Sequence, residues 1–341
     1  MKLGVGAYLA AGIGIALAVP MMMTWERPPM DSTQGGFRGT GMEQIVNPRM
    51  LAVKQAATTV PEASDQAETG GPKASEIYQN VKVLGDLNEA QFTRLMLSIT
   101  EWVAPEEGCN YCHNPENLAE DSVYTKVVAR KMLQMTANIN AEWKPHVADT
   151  GVTCYTCHRG NPVPKNTWAM NSGNMPETGG WNASRMGQNL ASKEVGTTSL
   201  PYDPFADLLT KTQSIRVAGL TALPEAEGVS VKQAEKTYGL MMHFSQALAV
   251  NCTFCHNSRN FSNWSESPPT RVKAWHGIQM VHNINENYIQ SLADVFPADR
   301  KGPMGDVKKA NCATCHQGAN KPLYGAQMLK DYIVELSAAK E

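Results

Sequence analysis

All eight cysteines of this 341-residue chain fall in four copies of one pattern, Cys-x-x-Cys-His. The copies are Cys109–His113, Cys154–His158, Cys252–His256 and Cys312–His316. Two thiols three positions apart can add across the two vinyl groups of one haem, and the imidazole that follows can ligate its iron. One copy alone is a weak signal, and paired Cys-x-x-Cys units more often hold zinc. Four copies, each ended by His and leaving no cysteine for a disulfide or a zinc site, point to four covalently bound c-type haems. Cys109, Cys112, Cys154, Cys157, Cys252, Cys255, Cys312 and Cys315 would then carry the thioethers. His113, His158, His256 and His316 would be the proximal iron ligands.

Each iron then needs a sixth ligand or an open position. The histidines outside the boxes are His146, His243, His276 and His282, so four bis-histidine haems are arithmetically possible but demand all of them. Methionine suits three haems better. Met96 and Met241 each follow a Leu on a helix that precedes a box, which lets a thioether reach the haem face while the chain turns back; Met242 is the neighbour that could replace Met241. For the second haem the candidate is Met132, with Met135 beside it. Aligning the two halves puts Met135 opposite Met280 but Met132 opposite Gly277. The fourth haem therefore lacks a methionine of its own. His146, in the loop before the second box, is the expected replacement, reaching across from the other half, with His276 and His282 in reserve.

The elements that must position these groups are helical. Apolar spacing predicts helices over 87–102, 122–143, 231–250 and 270–295. Helix, box, helix, box occurs twice. Met135-Thr136-Ala137-Asn138-Ile139-Asn140 matches Met280-Val281-His282-Asn283-Ile284-Asn285, and the boxes share a trailing Asn (114, 257) or Gly (160, 318). The expectation is a mainly α multihaem cytochrome with two pseudo-two-fold-related di-haem modules. The divisions are a membrane anchor or signal peptide over 1–27, an extended Gly/Pro/Ser/Thr-rich arm over 28–75, module 1 over 76–165, a connecting segment over 166–225, module 2 over 226–325 and a tail over 326–341. With 7% aromatic residues, much of the core should be haem. Most of the 18 methionines are ordinary soft packing. A net charge of −2 gives no reason to expect nucleic acid.

The run Leu3–Met23 is uncharged and long enough to cross a bilayer. Ala16-Leu17-Ala18 resembles a signal cleavage site, but the apolar run continues beyond it. The expectation is a retained transmembrane helix with the bulk of the chain on the periplasmic side of a bacterial inner membrane, where covalent haem is attached.

The chain resembles the tetrahaem cytochrome subunit of bacterial photosynthetic reaction centres. The likeness runs from the Gly-Phe-Arg-Gly-Thr-Gly-Met segment at 36–42 to the fourth box. It is carried by Leu95-Met96, Thr100-Glu101-Trp102-Val103 before Gly108-Cys109, Arg130-Lys131-Met132-Leu133-Gln134-Met135-Thr136 and Asn251-Cys252-Thr253-Phe254-Cys255-His256-Asn257. The resemblance implies three His/Met haems and one bis-His haem, a pattern that falls on Met96, Met132, Met241 and His146. It implies haems in the spatial order 1, 2, 4, 3, with the third nearest the bacteriochlorophyll special pair on the L and M subunits. Some members carry a lipidated N-terminal cysteine, for which this chain has a membrane helix instead. The implied function is electron transfer rather than enzymatic catalysis: re-reduction of the photo-oxidised special pair from a soluble periplasmic donor, a c-type cytochrome or high-potential iron-sulfur protein. Two rivals are a membrane-anchored multihaem oxidoreductase of the quinol dehydrogenase or nitrogen-oxide reductase type, and a stand-alone periplasmic carrier. The oxidoreductase needs an open iron or a quinol pocket, and four sixth ligands close every iron. Acids around the first box (Glu101, Glu106, Glu107, Glu116, and also Glu120 and Asp121) suggest docking of a basic donor there. Arg259, Arg271 and Lys273 lie near the third box, with Arg271 a candidate contact on the special-pair side.

Overall fold

The computed structural model describes residues 4–23, 29–36, 40–170, 200, 203–211, 214–217 and 230–339. Most of the connecting segment expected over 166–225, and part of the 36–42 motif, lie outside the described residues. Within them the fold is mainly α-helical, as expected. In chain order the helices are α1 (Val5–Met23), α2 (Pro48–Ala56), α3 (Ala74–Ile77), α4 (Glu89–Val103), α5 (Tyr124–Glu142), α6 (Lys144–Val147), α7 (Cys154–His158), α8 (Val231–Leu248), α9 (Thr270–Asn283), α10 (Cys312–His316) and α11 (Ile333–Ser337). A short antiparallel hairpin, β1 (Asp31–Gln34) with β2 (Glu43–Val46), lies between α1 and α2.

Helix α1 is 19 residues long and exposed throughout. At about 1.5 Å per residue it spans close to the hydrocarbon thickness of a bilayer, and it is the one helix among the described residues long and apolar enough to do so. The other long helices start where the sequence supplies a cap. Asn88 Oδ1 accepts the Gln91 N–H at 2.8 Å while Gln91 Oε1 accepts the Asn88 N–H at 3.2 Å, a reciprocal box that fixes the start of α4. Ser230 caps α8 through the Gln233 N–H, and Ala249 ends it in the left-handed region at φ 53°. The helix expected over 270–295 changes type part-way. It is α-helical to Asn283, wider-wound from Ile284 to Ile289, and 3-10 from Gln290 to Leu292.

Among the described residues three clusters make the core. Helix α4 buries Leu95, Ser98 and Trp102, spaced three and four apart on one face, against Leu133 of α5 and Tyr332 and Leu336 at the C-terminus. In the second half Leu240 of α8 and Ile278 and Val281 of α9 close over Phe205, Leu208 and Leu209. Between the halves Ile139 of α5 meets Met280 and Ile284, flanked by Met135, Trp143 and Val147.

The arm and the C-terminal segment are both fastened to the helices. Gln44 of β2 donates to Asn251 Oδ1 and accepts the Asn251 N–H beside the third box. Farther along, Tyr155 donates to the Thr59 carbonyl. Arg94 donates to the carbonyls of Ser64, Asp65 and Asp331 and pairs with Glu335 at 2.6 Å, both side chains 5% exposed. The same guanidinium lies 3.9 Å over the Tyr332 ring, whose hydroxyl accepts from Ser98 at 2.9 Å. Residues 328–339, expected as a tail, thus form part of the first half's core. Removing one member of a buried pair strands the other charge. Arg94→Met should therefore cost about 3–5 kcal/mol, and adding Glu335→Leu should recover part of the loss. Guanidinium denaturation of the full chain measures both, and a loss below about 1 kcal/mol for Arg94→Met would show that Glu335 finds solvent instead.

Candidate functional site

The four boxes fold in two ways, and the two ways alternate. The first and third are 3-10 turns, Gly108–Tyr111 and Cys252–Phe254. After each, a loop closed by a bridge (Asn114 with Asn117, Asn257 with Asn260) returns to the next helix. A threonine in the first turn of that helix, Thr125 or Thr270, donates to the carbonyl of Tyr111 or Phe254. The second and fourth boxes are the helical turns α7 and α10. In each, the residue before the turn donates its N–H to a threonine hydroxyl inside it, Thr153 to Thr156 and Asn311 to Thr314, both at 3.0 Å. Each turn ends on a left-handed residue, Arg159 at φ 49° or Gln317 at φ 48°. The glycine that follows donates back to the helix before the preceding box, Gly160 to the Trp102 carbonyl and Gly318 to the Ala247 carbonyl, both 2.8 Å.

One feature is common to all four. Each box histidine has Nδ1 at 2.9 Å from a backbone carbonyl: His113 with Leu118, His158 with Asn161, His256 with Phe261 and His316 with Ala319. A carbonyl only accepts, so Nδ1 carries the proton and Nε2 keeps a free lone pair, the tautomer a metal requires. Burial holds His158 and His256 below the ordinary imidazole value and pushes His316 down to about 4. These rings are therefore neutral at pH 7, as ligation demands. Burial also raises the Cys154 and Cys312 thiols to about 12.

The sequence repeat showed that Asn140 matches Asn285 but not what they do. Asn140 donates to the Val152 carbonyl at 2.9 Å and accepts the Val152 N–H at 2.8 Å. Asn285, fully buried, makes the same two bonds to Ala310 at 3.0 and 2.9 Å. Each clamps the segment that leads into α7 or α10. Their recurrence as polar residues on the apolar side of matched helices was the signal available.

Boxes two and four meet. Arg159 donates to the Cys315 carbonyl at 3.2 Å and Gln317 donates to the Cys157 carbonyl at 3.4 Å, a reciprocal contact such as a two-fold axis produces. The sulfurs of Cys157 and Cys315 also lie against each other, with Cα atoms 4.5 Å apart. The cause is the close approach of the two helical turns.

A cavity of about 510 Å³ runs beside this contact. Its walls are mostly apolar and include both cysteines and the histidine of boxes two and four, with Cys112 and Cys255 from boxes one and three. A haem needs an apolar slot with thiols and a neutral imidazole on its rim, and the residues present fit that need. Met132, Met135 and His146 line the same cavity, whereas His243, His276 and His282 do not. Met135 packs into the cluster between the halves, while Met132 belongs to none of the three clusters. His146, on α6, crosses to the second half. Its Nδ1 lies 2.8 Å from the Lys273 carbonyl, and its ring faces that of His316 at 6.1 Å between centroids. Gly277 makes room for it, since a Cβ there would stand 2.6 Å from His146 Cε1. Met96 and Met241 sit at matching places on α4 and α8, each half-buried against its own half's core. Met242 belongs to neither cluster.

The acids around the first box divide. Glu101, Glu106, Glu107 and Glu116 are exposed. Asp121 pairs with Lys82, Lys126 and Arg130, chiefly the bond from Arg130, which holds its carboxyl far below the usual range. Glu120 accepts from Asn114 and Ser122. Near the third box, Arg259 pairs with Glu266. Arg271 donates to the Asn263 carbonyl and Ser267 and lies 4.1 Å over the Trp264 ring.

Residues 26–336 match the family model described as the photosynthetic reaction centre cytochrome C subunit. The chain belongs to this family. The photosynthetic reaction center cytochrome c subunit of Rubrivivax gelatinosus is 56% identical over 316 residues, covering 92% of this chain and 86% of that one. Its namesake from Thermochromatium tepidum is 51% identical, covering 93% and 78%. That of Roseobacter denitrificans is 40% identical, covering 97% and 90%. A cytochrome c-554 of Chloroflexus aurantiacus is 26% identical over 302 residues. Membership in the reaction centre cytochrome family brings covalently bound haem c and association with a membrane-bound reaction centre.

Proposed function

We propose that this protein is the electron-transfer subunit that re-reduces the photo-oxidised special pair of a photosynthetic reaction centre, and that it is a carrier rather than an enzyme. The observation that carries the reading is the four-fold recurrence of a box histidine locked by its Nδ1–H on a backbone carbonyl, in a chain matching the family over nearly its whole length. Haem supplies one-electron chemistry when bound. The residues would hold it, present a box-histidine nitrogen to it and keep water away. Four haems sit in two di-haem modules, on Cys109/Cys112, Cys154/Cys157, Cys252/Cys255 and Cys312/Cys315. Contact of α7 with α10 supports an array in which the second and fourth haems are neighbours. Helix α1 anchors the chain, the bulk lies on the periplasmic side, and electrons arrive from a soluble cytochrome or high-potential iron-sulfur protein. Exposed Glu101, Glu106, Glu107 and Glu116 support entry at the first haem. The third-box end faces the L and M subunits. Arg271 is held there by Trp264 and Ser267.

Met96, Met132 and Met241 are the sixth ligands of the first three irons. Packing of Met135 in the inter-half cluster favours Met132 over its neighbour, and the match of Met241 to Met96 favours it over Met242. His146 is the sixth ligand of the fourth. With about 2 Å for a bond from imidazole nitrogen to a metal, its ring and that of His316 leave space for one iron between them. Methionine ligation raises potentials, which suits donation to a strong oxidant.

Two measurements test these assignments. After a flash, isolated membranes should show haem oxidation following the special-pair signal; special-pair decay with no haem change would refute the function. Gly277→Ala should push His146 aside, so that the oxidised variant shows a high-spin ferric signal from one haem of four. A parent-like electron paramagnetic resonance spectrum would mean that His146 and His316 share no iron.

A further inference from the structure

Lys126 is the third residue of α5 and is buried. Its ammonium group donates to three consecutive carbonyls, Leu118 at 2.7 Å, Ala119 at 2.8 Å and Glu120 at 2.9 Å. The first of these is the carbonyl that accepts the Nδ1–H of His113 at 2.9 Å. One oxygen thus serves two donors, and one donor carries a full positive charge. Around it, Asp121 lies 3.6 Å from the ammonium and is shared with Lys82 and Arg130, so three cations surround one carboxylate.

The matched half is built differently. Phe261 is the carbonyl that holds His256 at 2.9 Å, and Arg271 stands where Lys126 does, directly after the helix-starting threonine. The run from the box histidine to that threonine is two residues longer in the second half. Arg271 reaches the Asn263 carbonyl at 3.0 Å and Ser267 at 2.8 Å, and stacks on Trp264. Its bonds therefore go to atoms other than the carbonyl that anchors the histidine.

A proximal imidazole whose Nδ1–H meets a strong acceptor gains imidazolate character and favours ferric iron, which lowers the potential. A carbonyl already engaged by an ammonium is a weaker acceptor. We propose that Lys126 is a positioning residue that raises the reduction potential of the haem on the first box by drawing electron density from the carbonyl anchoring His113. The positive charge acts in the same direction, because it disfavours the additional charge of ferric iron. The first haem is thereby set apart from the third, although their boxes are built alike. This rests on His113 as an iron ligand.

The test is a redox titration of the membrane-bound reaction centre complex carrying Lys126→Met, Lys126→Gln or Lys126→Arg, with each haem followed by its own optical band. Lys126→Met should raise the oxidised-to-reduced ratio of the first haem at fixed potential about tenfold, a fall of about 59 mV for one electron. Lys126→Gln should lie between it and the parent, Lys126→Arg should recover most of the difference, and the other three haems should not move. A fully loaded Lys126→Met protein with an unshifted first haem overturns the proposal. So does an equal shift of all four. If the neutral variants fail to carry the first haem, electron-nuclear double resonance on the parent decides, with one haem oxidised at a time. A His113 Nδ1 proton bonded more weakly than that of His256 supports the proposal, and equal bonding overturns it. A parent protein lacking haem on the first box would instead defeat the ligand assignment itself.

Discussion

A histidine can bind iron only through a nitrogen left free by its other bonds, and this fold fixes that choice four times with a backbone carbonyl. The carbonyl lies three residues after the histidine where the box is a helical turn and five after it where the box is a 3-10 turn. Everything nearby serves to hold that carbonyl still. Asn114 and Asn257 close the longer loops. Arg159 and Gln317, in left-handed conformations, turn the chain sharply enough for the short ones. Loss of the lock would free the ring to rotate and to protonate on the wrong nitrogen.

The second constraint is the reciprocal contact of α7 with α10. It brings two boxes from opposite halves within a few ångströms and forces the rest of the design to cross over with it. His146 leaves the first half to face His316 in the second, and Gly277 must lack a side chain for that to happen. The arm then straps the assembly, with β2 beside the third box and residues 59–68 on the first half. With 7% aromatic residues the chain has few large apolar rings with which to cohere. Long backbone straps and a buried Arg94–Glu335 pair supply part of what a larger aromatic core would have given.

Much of this was legible in the sequence, because the chemistry is written in residue types with fixed spacing. The boxes, the helical repeat and the oddity of Gly277 opposite Met132 all follow from positions in one line of text. What stayed hidden depends on contacts between distant positions. Asn140 and Asn285 look like ordinary helix residues until the backbone at Val152 and Ala310 is seen against them. Asp121 and Glu120 read as free acids until Lys82, Lys126, Arg130, Asn114 and Ser122 are found around them. The C-terminal residues read as a tail because Tyr332 and Glu335 find their partners more than 230 positions earlier. The meeting of Cys157 with Cys315 had no local signal at all.

That meeting also gives the most direct measurement. Peptide mapping by mass spectrometry under non-reducing conditions, on the protein purified from its membranes, reports the state of all eight sulfurs. The account predicts four peptides, one for each box, every one carrying a single haem through both cysteines. A linked pair of peptides joined through Cys157 and Cys315, or a box without haem, would contradict it.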